Sequence, residues 1–194
     1  MKPWQKNLPH LLTMSRMVFA IPIALIMNHD ELWVRLVAAF LFAVASMTDY
    51  WDGYYARKWN LISDWGKIMD PIADKILVTT ILVMFIPAGK IETWIVIILV
   101  ARDLLIGGVR SVAAAEQMII SANPGGKWKT ALQMIAIPAV MIGDQFLGVP
   151  FQTLGQYMLW VSTLLSLYSG AQYAWAYERA RGRFGKTSKR SNPG

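Results

Sequence analysis

Cysteine is absent from this chain of 194 residues, which removes disulfides, thiolate nucleophiles and cysteine-held zinc or iron-sulfur centres from consideration. Histidine is nearly absent: His10 and His29 are the only two, too far apart to suggest a histidine-rich metal site. Charge is scarce as well. Asp, Glu, Lys and Arg make up 16% of the residues, against roughly 25% in an ordinary soluble domain. Hydrophobic residues reach 55%, so the composition points to lipid as the solvent. Internal repeats and low-complexity linkers are missing too, and nothing divides the chain into two domains. The formal charge of +7 could invite nucleic acid, yet Lys and Arg fall between and after long apolar runs instead of forming one interleaved face. A membrane surface explains them better, and no nucleic-acid partner is expected.

What is abundant is apolar sequence in lengths that suit a hydrocarbon core of about 30 Å, which takes roughly 20 residues of helix. Six such runs cover residues 8–27, 32–55, 66–86, 93–112, 130–146 and 151–173. The first is long, holds Arg16 and Pro22, and lacks a small-residue cleavage pattern near Asn28, so it is expected to stay attached. The expectation is an all-α, six-helix transmembrane bundle forming one domain over residues 1–178, followed by a basic, flexible tail over 179–194. Basic residues collect at one end of these runs: Lys2 and Lys6, Arg57, Lys58 and Lys67, Arg110, Lys127 and Lys129, then Arg179 onward. The connections at the other end carry Lys90 alone, with Arg35 nearby, where its stem can snorkel toward headgroups. Short-loop Lys and Arg are retained in the cytoplasm, so both termini are placed on the cytoplasmic side of the membrane. The tail is expected to touch anionic lipids, at about 1 kcal/mol per basic residue near the surface.

Ionisable residues inside membrane helices are costly and usually mark a functional cavity. Asp49, Asp52 and Ala56 share one face of the second run, and Gly66, Asp70 and Asp74 repeat every four residues along the third. A short polar connection makes these two helices neighbours, so the four carboxylates can enter one pocket. Such a group repels itself unless cations or protons neutralise it, and oxygen ligands suit hard ions such as magnesium or manganese. Asp49 lies about 25 Å along its helix from the outer start, which opens the pocket toward the cytoplasm. Two other uses of the acids stay open at this point: buried ion pairs with Arg57, Lys67, Lys75 and Arg102, and an ion-coupled transport pathway, although the latter favours acids at the midplane over acids at one end.

The spacing reads Asp49-x-x-Asp52-Gly53-x-x-Ala56-Arg57, eight residues, then Gly66-x-x-x-Asp70-x-x-x-Asp74. It resembles, position for position, the defining motif of the CDP-alcohol phosphatidyltransferases. The resemblance implies a six-helix bundle, commonly a homodimer, that binds two metal ions and a CDP-linked lipid, CDP-diacylglycerol. It implies that Asp49, Asp52 and Asp70 are metal ligands, and that Asp74 both approaches the metals and acts as general base. Gly53, Ala56, Arg57 and Gly66 would shape the nucleotide site; small residues there also serve close helix packing, and Arg57 can anchor at the headgroups as well as bind phosphate.

Three further segments bear on the acceptor alcohol. The stretch from Asn7 to Arg16 resembles the opening of a bacterial branch of that family whose acceptor is sn-glycerol 3-phosphate, with His10 standing where Asn is more usual. The run Asp70-Pro71-Ile72-Ala73-Asp74-Lys75 and the segment Gly126-Lys127-Trp128-Lys129-Thr130 are similar to the same branch. Pro124, Gly125 and Gly126 are read as the end of an irregular connection before the fifth helix, where free N–H groups and the positive helix end can meet a phosphate. Lys127, Lys129, Thr130 and Arg110 would complete the clamp; ordinary loop charge is the other reading of these cations. Arg102 and Asp103 are expected to pair with each other or support the site. Inositol phosphate, serine and phosphatidylglycerol remain as other acceptors within the family.

Overall fold

Apolar residues recurring at helical spacing, ended by charges and turn formers, divide the chain into helices. The computed structural model describes residues 18–58, 64–115, 124–144 and 146–190, with side chains at 48–74, at 114–124 and from 182 onward lying outside the description. Among the described residues there are six helices and no strand, so the chain is all-α. α1 is described over residues 18–26, followed by α2 (Leu32–Lys58), α3 (Asp64–Phe85), α4 (Thr93–Ala115), α5 (Pro124–Ile142) and α6 (Phe151–Arg190).

Two helix ends differ from the sequence reading for a common reason. Apolarity marks the stretch that is buried, whereas helical backbone continues into charged sequence when the residues allow it. Pro124 opens α5 at the first helical position, where its missing N–H costs nothing, so Lys127 and Lys129 belong to the helix with Thr130 instead of to a connection before it. α6 likewise runs through the basic stretch to Arg190 instead of ending near Tyr173, since Arg and Lys are good helix formers.

The helices share one apolar core, to which Ile23, Phe42, Leu77, Ile95, Ile137 and Leu159 each bring a side chain from a different helix. α5 and α6 pack most extensively; α2 lies on α5, α4 on α6 and α3 on α4. Gly155 allows the closest approach, because a Cβ there would stand 2.7 Å from Val140 Cγ2 and 2.8 Å from the Ala136 carbonyl. The turn between α5 and α6 is built by Gly143, with φ of +78° just past the end of α5, and by Asp144. The Asp144 carboxylate accepts the Gln152 N–H at 2.7 Å and the Thr153 hydroxyl at 3.3 Å, capping the start of α6.

At the same end two cations turn inward. Lys90 is buried and its Nζ donates to the Met27 carbonyl at 3.1 Å. Burial, and secondarily Arg35, lowers the Lys90 pKa against a smaller opposing pull from Asp30. Arg35 does not extend outward as the sequence suggested. It is buried, its guanidinium lying where any side chain at Gly143 would have to go. Each cation therefore sits at the C-terminal end of a helix, where its charge opposes the negative pole.

Among the described residues, no helix is long and apolar enough to cross a membrane by itself. α4 breaks its apolar run with Arg102, Asp103 and Arg110, and α6 interleaves Gln152, Gln156 and buried Ser162, Ser166 and Ser169. The three charges on α4 line a cavity inside the bundle, and the three serines of α6 stand behind it.

Candidate functional site

α3, α4 and α5 enclose a cavity of about 820 Å³. Its charged lining among the described residues is Lys75 from α3, Arg102, Asp103 and Arg110 from α4, and Lys127 and Lys129 from α5. Among the described residues five cations thus surround one carboxylate, an arrangement that favours an anionic ligand. Thr130 and Gly126 also line it, so the structure brings together the four residues Arg110, Lys127, Lys129 and Thr130 that the sequence suggested for one clamp.

Their roles in the fold are not equivalent. Lys129 is nearly fully buried and donates to both oxygens of Asp103, at 2.5 and 2.6 Å. Asp103 also pairs with Arg102 Nη1 at 3.0 Å. The remaining Arg102 nitrogens reach α6, Nε donating to the Ser166 carbonyl at 2.9 Å and Nη2 to the Ser169 hydroxyl at 2.7 Å. Ser162 on α6 donates its hydroxyl to the Lys129 carbonyl at 3.1 Å. The polar face of α6 therefore braces the cavity from behind. Lys75 Nζ donates to the Asp103 carbonyl at 2.8 Å, through space left by Gly107, where a Cβ would lie 2.8 Å from that nitrogen.

Arg110 and Lys127, by contrast, are exposed at the cavity edge. The Arg110 guanidinium stacks over the Tyr173 ring at 5.2 Å, which orients its planar donors without using them. Thr130 spends its hydroxyl on the Gly126 carbonyl at 3.2 Å. Arg110 and Lys127 at the first turn of α5, whose end carries positive partial charge, are the cations placed to meet a ligand from solution. Lys129 is the better-buried charge behind them.

Asp49, Asp52, Gly53, Ala56 and Arg57 lie on α2, and Gly66, Asp70 and Asp74 on α3, but their side chains fall outside the described residues. The helical backbone sets Asp49 with Asp52, and Asp70 with Asp74, on one face of each helix. Among the described residues no three acidic or histidine side chains gather to hold a metal ion. Among the described residues, α3 lines the cavity with Lys75, Val78, Thr79 and Leu82, and Lys75 directly follows Asp74 in sequence. Sequence reasoning did not single out Gln133, Gly107 or Thr79 as lining residues. For Gln133 the signal was present: it follows Lys129 by four positions and so shares its helix face.

An all-helical bundle with a cationic cavity beside a helix bearing two acids at a spacing of four is the class that fold and site define together. This chain belongs to the CDP-alcohol phosphatidyltransferase family, whose pattern matches residues 6–168. It is similar to proteins named CDP-diacylglycerol--glycerol-3-phosphate 3-phosphatidyltransferase: 34% identical over 87% of this chain and 95% of the protein from Rickettsia typhi. Its similarity to the Bacillus subtilis protein of that name is 35%, over 86% and 93% of the two chains. To that of Mycoplasma pneumoniae it is 41%, over 70% and 68%.

Proposed function

We propose that this chain transfers the phosphatidyl group of CDP-diacylglycerol to sn-glycerol 3-phosphate, releasing CMP, at the cytoplasmic face of a bacterial membrane. The observation that carries the reading is the convergence of Arg110, Lys127, Lys129 and Lys75 on one cavity, with Lys75 directly following Asp74 in the sequence of α3. The names of the relatives agree with it.

The acceptor's own phosphate is bound by Arg110 and Lys127 at the cavity edge, with Lys129 behind them, so that its free primary hydroxyl points toward α3. Asp74 takes the proton from that hydroxyl as its oxygen forms a bond to the lipid-side phosphorus and the bond from that phosphorus to the CMP oxygen breaks. Gly53, Ala56, Arg57 and Gly66 receive the nucleotide. The donor set of Asp49, Asp52, Asp70 and Asp74 is all carboxylate, which fits Mg2+ or Mn2+. When bound, a pair of such ions neutralises the diphosphate and stabilises charge on the attacking and leaving oxygens.

Embedding in lipid is supported by the apolar side chains left exposed around the bundle, among them Ile21, Leu25, Phe40, Val83, Leu104, Leu105 and Leu164. The same reading takes the protein as a homodimer with anionic lipids at its basic end. The test is CMP release by the purified protein with CDP-diacylglycerol, magnesium or manganese, and each acceptor in turn. Rapid release is expected with glycerol 3-phosphate alone; preference for inositol phosphate, serine or phosphatidylglycerol would move the assignment within the family. Asp74→Asn is expected to lower turnover on the order of 10³-fold, and Asp70→Asn to abolish metal-dependent activity. Full activity in both variants would remove the acids from the chemistry.

A further inference from the structure

Gln133 lies one helical turn beyond Lys129 on α5, about 6 Å deeper along the helix axis, and lines the same cavity. Its residue is only 3% exposed. The other polar groups of the wall are largely committed: Lys129 and Arg102 to Asp103 and α6, Thr130 to the Gly126 carbonyl, and Ser111 to the Gly107 carbonyl at 3.1 Å. Gln133 Nε2 is different. Among the described lining residues it is the one buried side-chain donor without a hydrogen-bond partner. A buried amide left unsatisfied is costly, and a bound ligand that pairs with it recovers that cost.

The chemistry of this group is distinct from that of the cations around it. A neutral amide offers one acceptor atom and two donors, which complements a hydroxyl, itself both donor and acceptor. It has no charge with which to compete for a phosphate already surrounded by Arg110, Lys127, Lys129 and Lys75. If the acceptor phosphate is bound at the level of Lys129, the alcohol's carbon chain is short enough to keep its hydroxyls within one turn of α5, the depth at which Gln133 stands.

We propose that Gln133 hydrogen-bonds the hydroxyl of the acceptor that does not attack, and so selects a phosphate-bearing polyol over an acceptor with a single hydroxyl. This rests on the acceptor reading given above. It assigns to one neutral residue the choice among phosphate-bearing alcohols, a choice that the cations cannot make because every such alcohol carries the same phosphate.

The experiment compares kcat/KM for sn-glycerol 3-phosphate and for 3-hydroxypropyl phosphate, which keeps the phosphate and the primary hydroxyl and lacks the secondary one. Wild-type protein in detergent or lipid, with magnesium and CDP-diacylglycerol, is expected to favour glycerol 3-phosphate about ten-fold, the scale of one hydrogen bond. In Gln133→Met and Gln133→Leu that ratio falls to near one, through loss of glycerol 3-phosphate use, while the KM for CDP-diacylglycerol stays unchanged. A ratio in folded variants equal to the wild-type ratio would overturn the proposal. So would equal use of both acceptors by the wild type, a result that needs no variant to fold. If the wild type released CMP with neither, the acceptor reading itself would be overturned, and Gln133's role with it.

Discussion

Asp103 is the residue on which the cavity's electrostatics turn. It accepts Lys129 and Arg102 together, and its backbone carbonyl accepts Lys75. Removing one member of a buried pair strands the other charge, which costs more than the pair contributes. Lys129 is 5% exposed and Asp103 24%, so Asp103→Ala is expected to destabilise the protein by about 2–4 kcal/mol, somewhat less than the 3–5 of a fully buried pair. Asp103→Asn keeps an acceptor oxygen for Lys129 and loses less. Thermal melting in detergent checks both, and an unchanged midpoint for the Ala variant would mean the pair is solvated. Lys127 is exposed and makes no comparable bond among the described residues, so Lys127→Ala is expected to leave the melting midpoint alone. Its effect appears in kinetics, as a KM for glycerol 3-phosphate raised roughly ten-fold or more, since bonds to charged groups are worth about 1.5–3 kcal/mol. A defect confined to the lipid donor would contradict the clamp. These two lysines, two positions apart in sequence, are alike on paper. Their difference was not legible there, because it depends on Asp103, 26 residues away along the chain.

At the scale of elements, the apolar runs placed the centres of α2 to α6 well and their ends less well, while the first half of the run 8–27 lies outside the described residues. Helical backbone depends on local hydrogen bonds and propensity, whereas the apolar stripe reports only what is buried, so α5 and α6 continue into Lys and Arg where the stripe has stopped. The clamp segment was legible as a basic cluster after Pro and Gly, but its placement within the first turns of α5 was not. The α5–α6 contact has a sharper test. A methyl group at Gly155 would press on the Ala136 carbonyl and the Val140 amide, neither of which is the far end of a flexible side chain. Gly155→Ala is therefore expected to separate the two helices and lower stability by about 1–3 kcal/mol. Because Ser162 on α6 holds the Lys129 carbonyl, the same shift is expected to raise the KM for the acceptor. By contrast, Gly108 has open space around it, and Gly108→Ala on α4 should be neutral to slightly stabilising, since Ala is the better helix former. Equal melting midpoints for the two variants would show that the close approach is not a constraint.

For the whole molecule, the sequence's lack of cysteine becomes an experimental advantage. The cavity's exposed cations, Arg110 and Lys127, lie near the end of the bundle that carries α5's first turn and the basic stretch of α6, while the turns at 86–92 and 143–150 lie at the other end. If retained Lys and Arg set the orientation, the first end meets the cytoplasm, where a soluble phosphate-bearing alcohol is available, and the second faces away. Single cysteines in a chain that has none report this without background. Ala88 and Arg181 are both exposed, so Ala88→Cys should react with a membrane-impermeant maleimide in intact spheroplasts, and Arg181→Cys only after the membrane is opened. The reverse pattern would turn the cavity away from its proposed substrate, and reaction of both without permeabilisation would mean the bundle does not span the membrane. Recovery of the protein from membranes by detergent but not by high salt separates the two attachments that the composition allows. The basic end alone would be released as salt screens it within a Debye length of about 10 Å at 0.1 M, whereas the apolar faces of the helices would not.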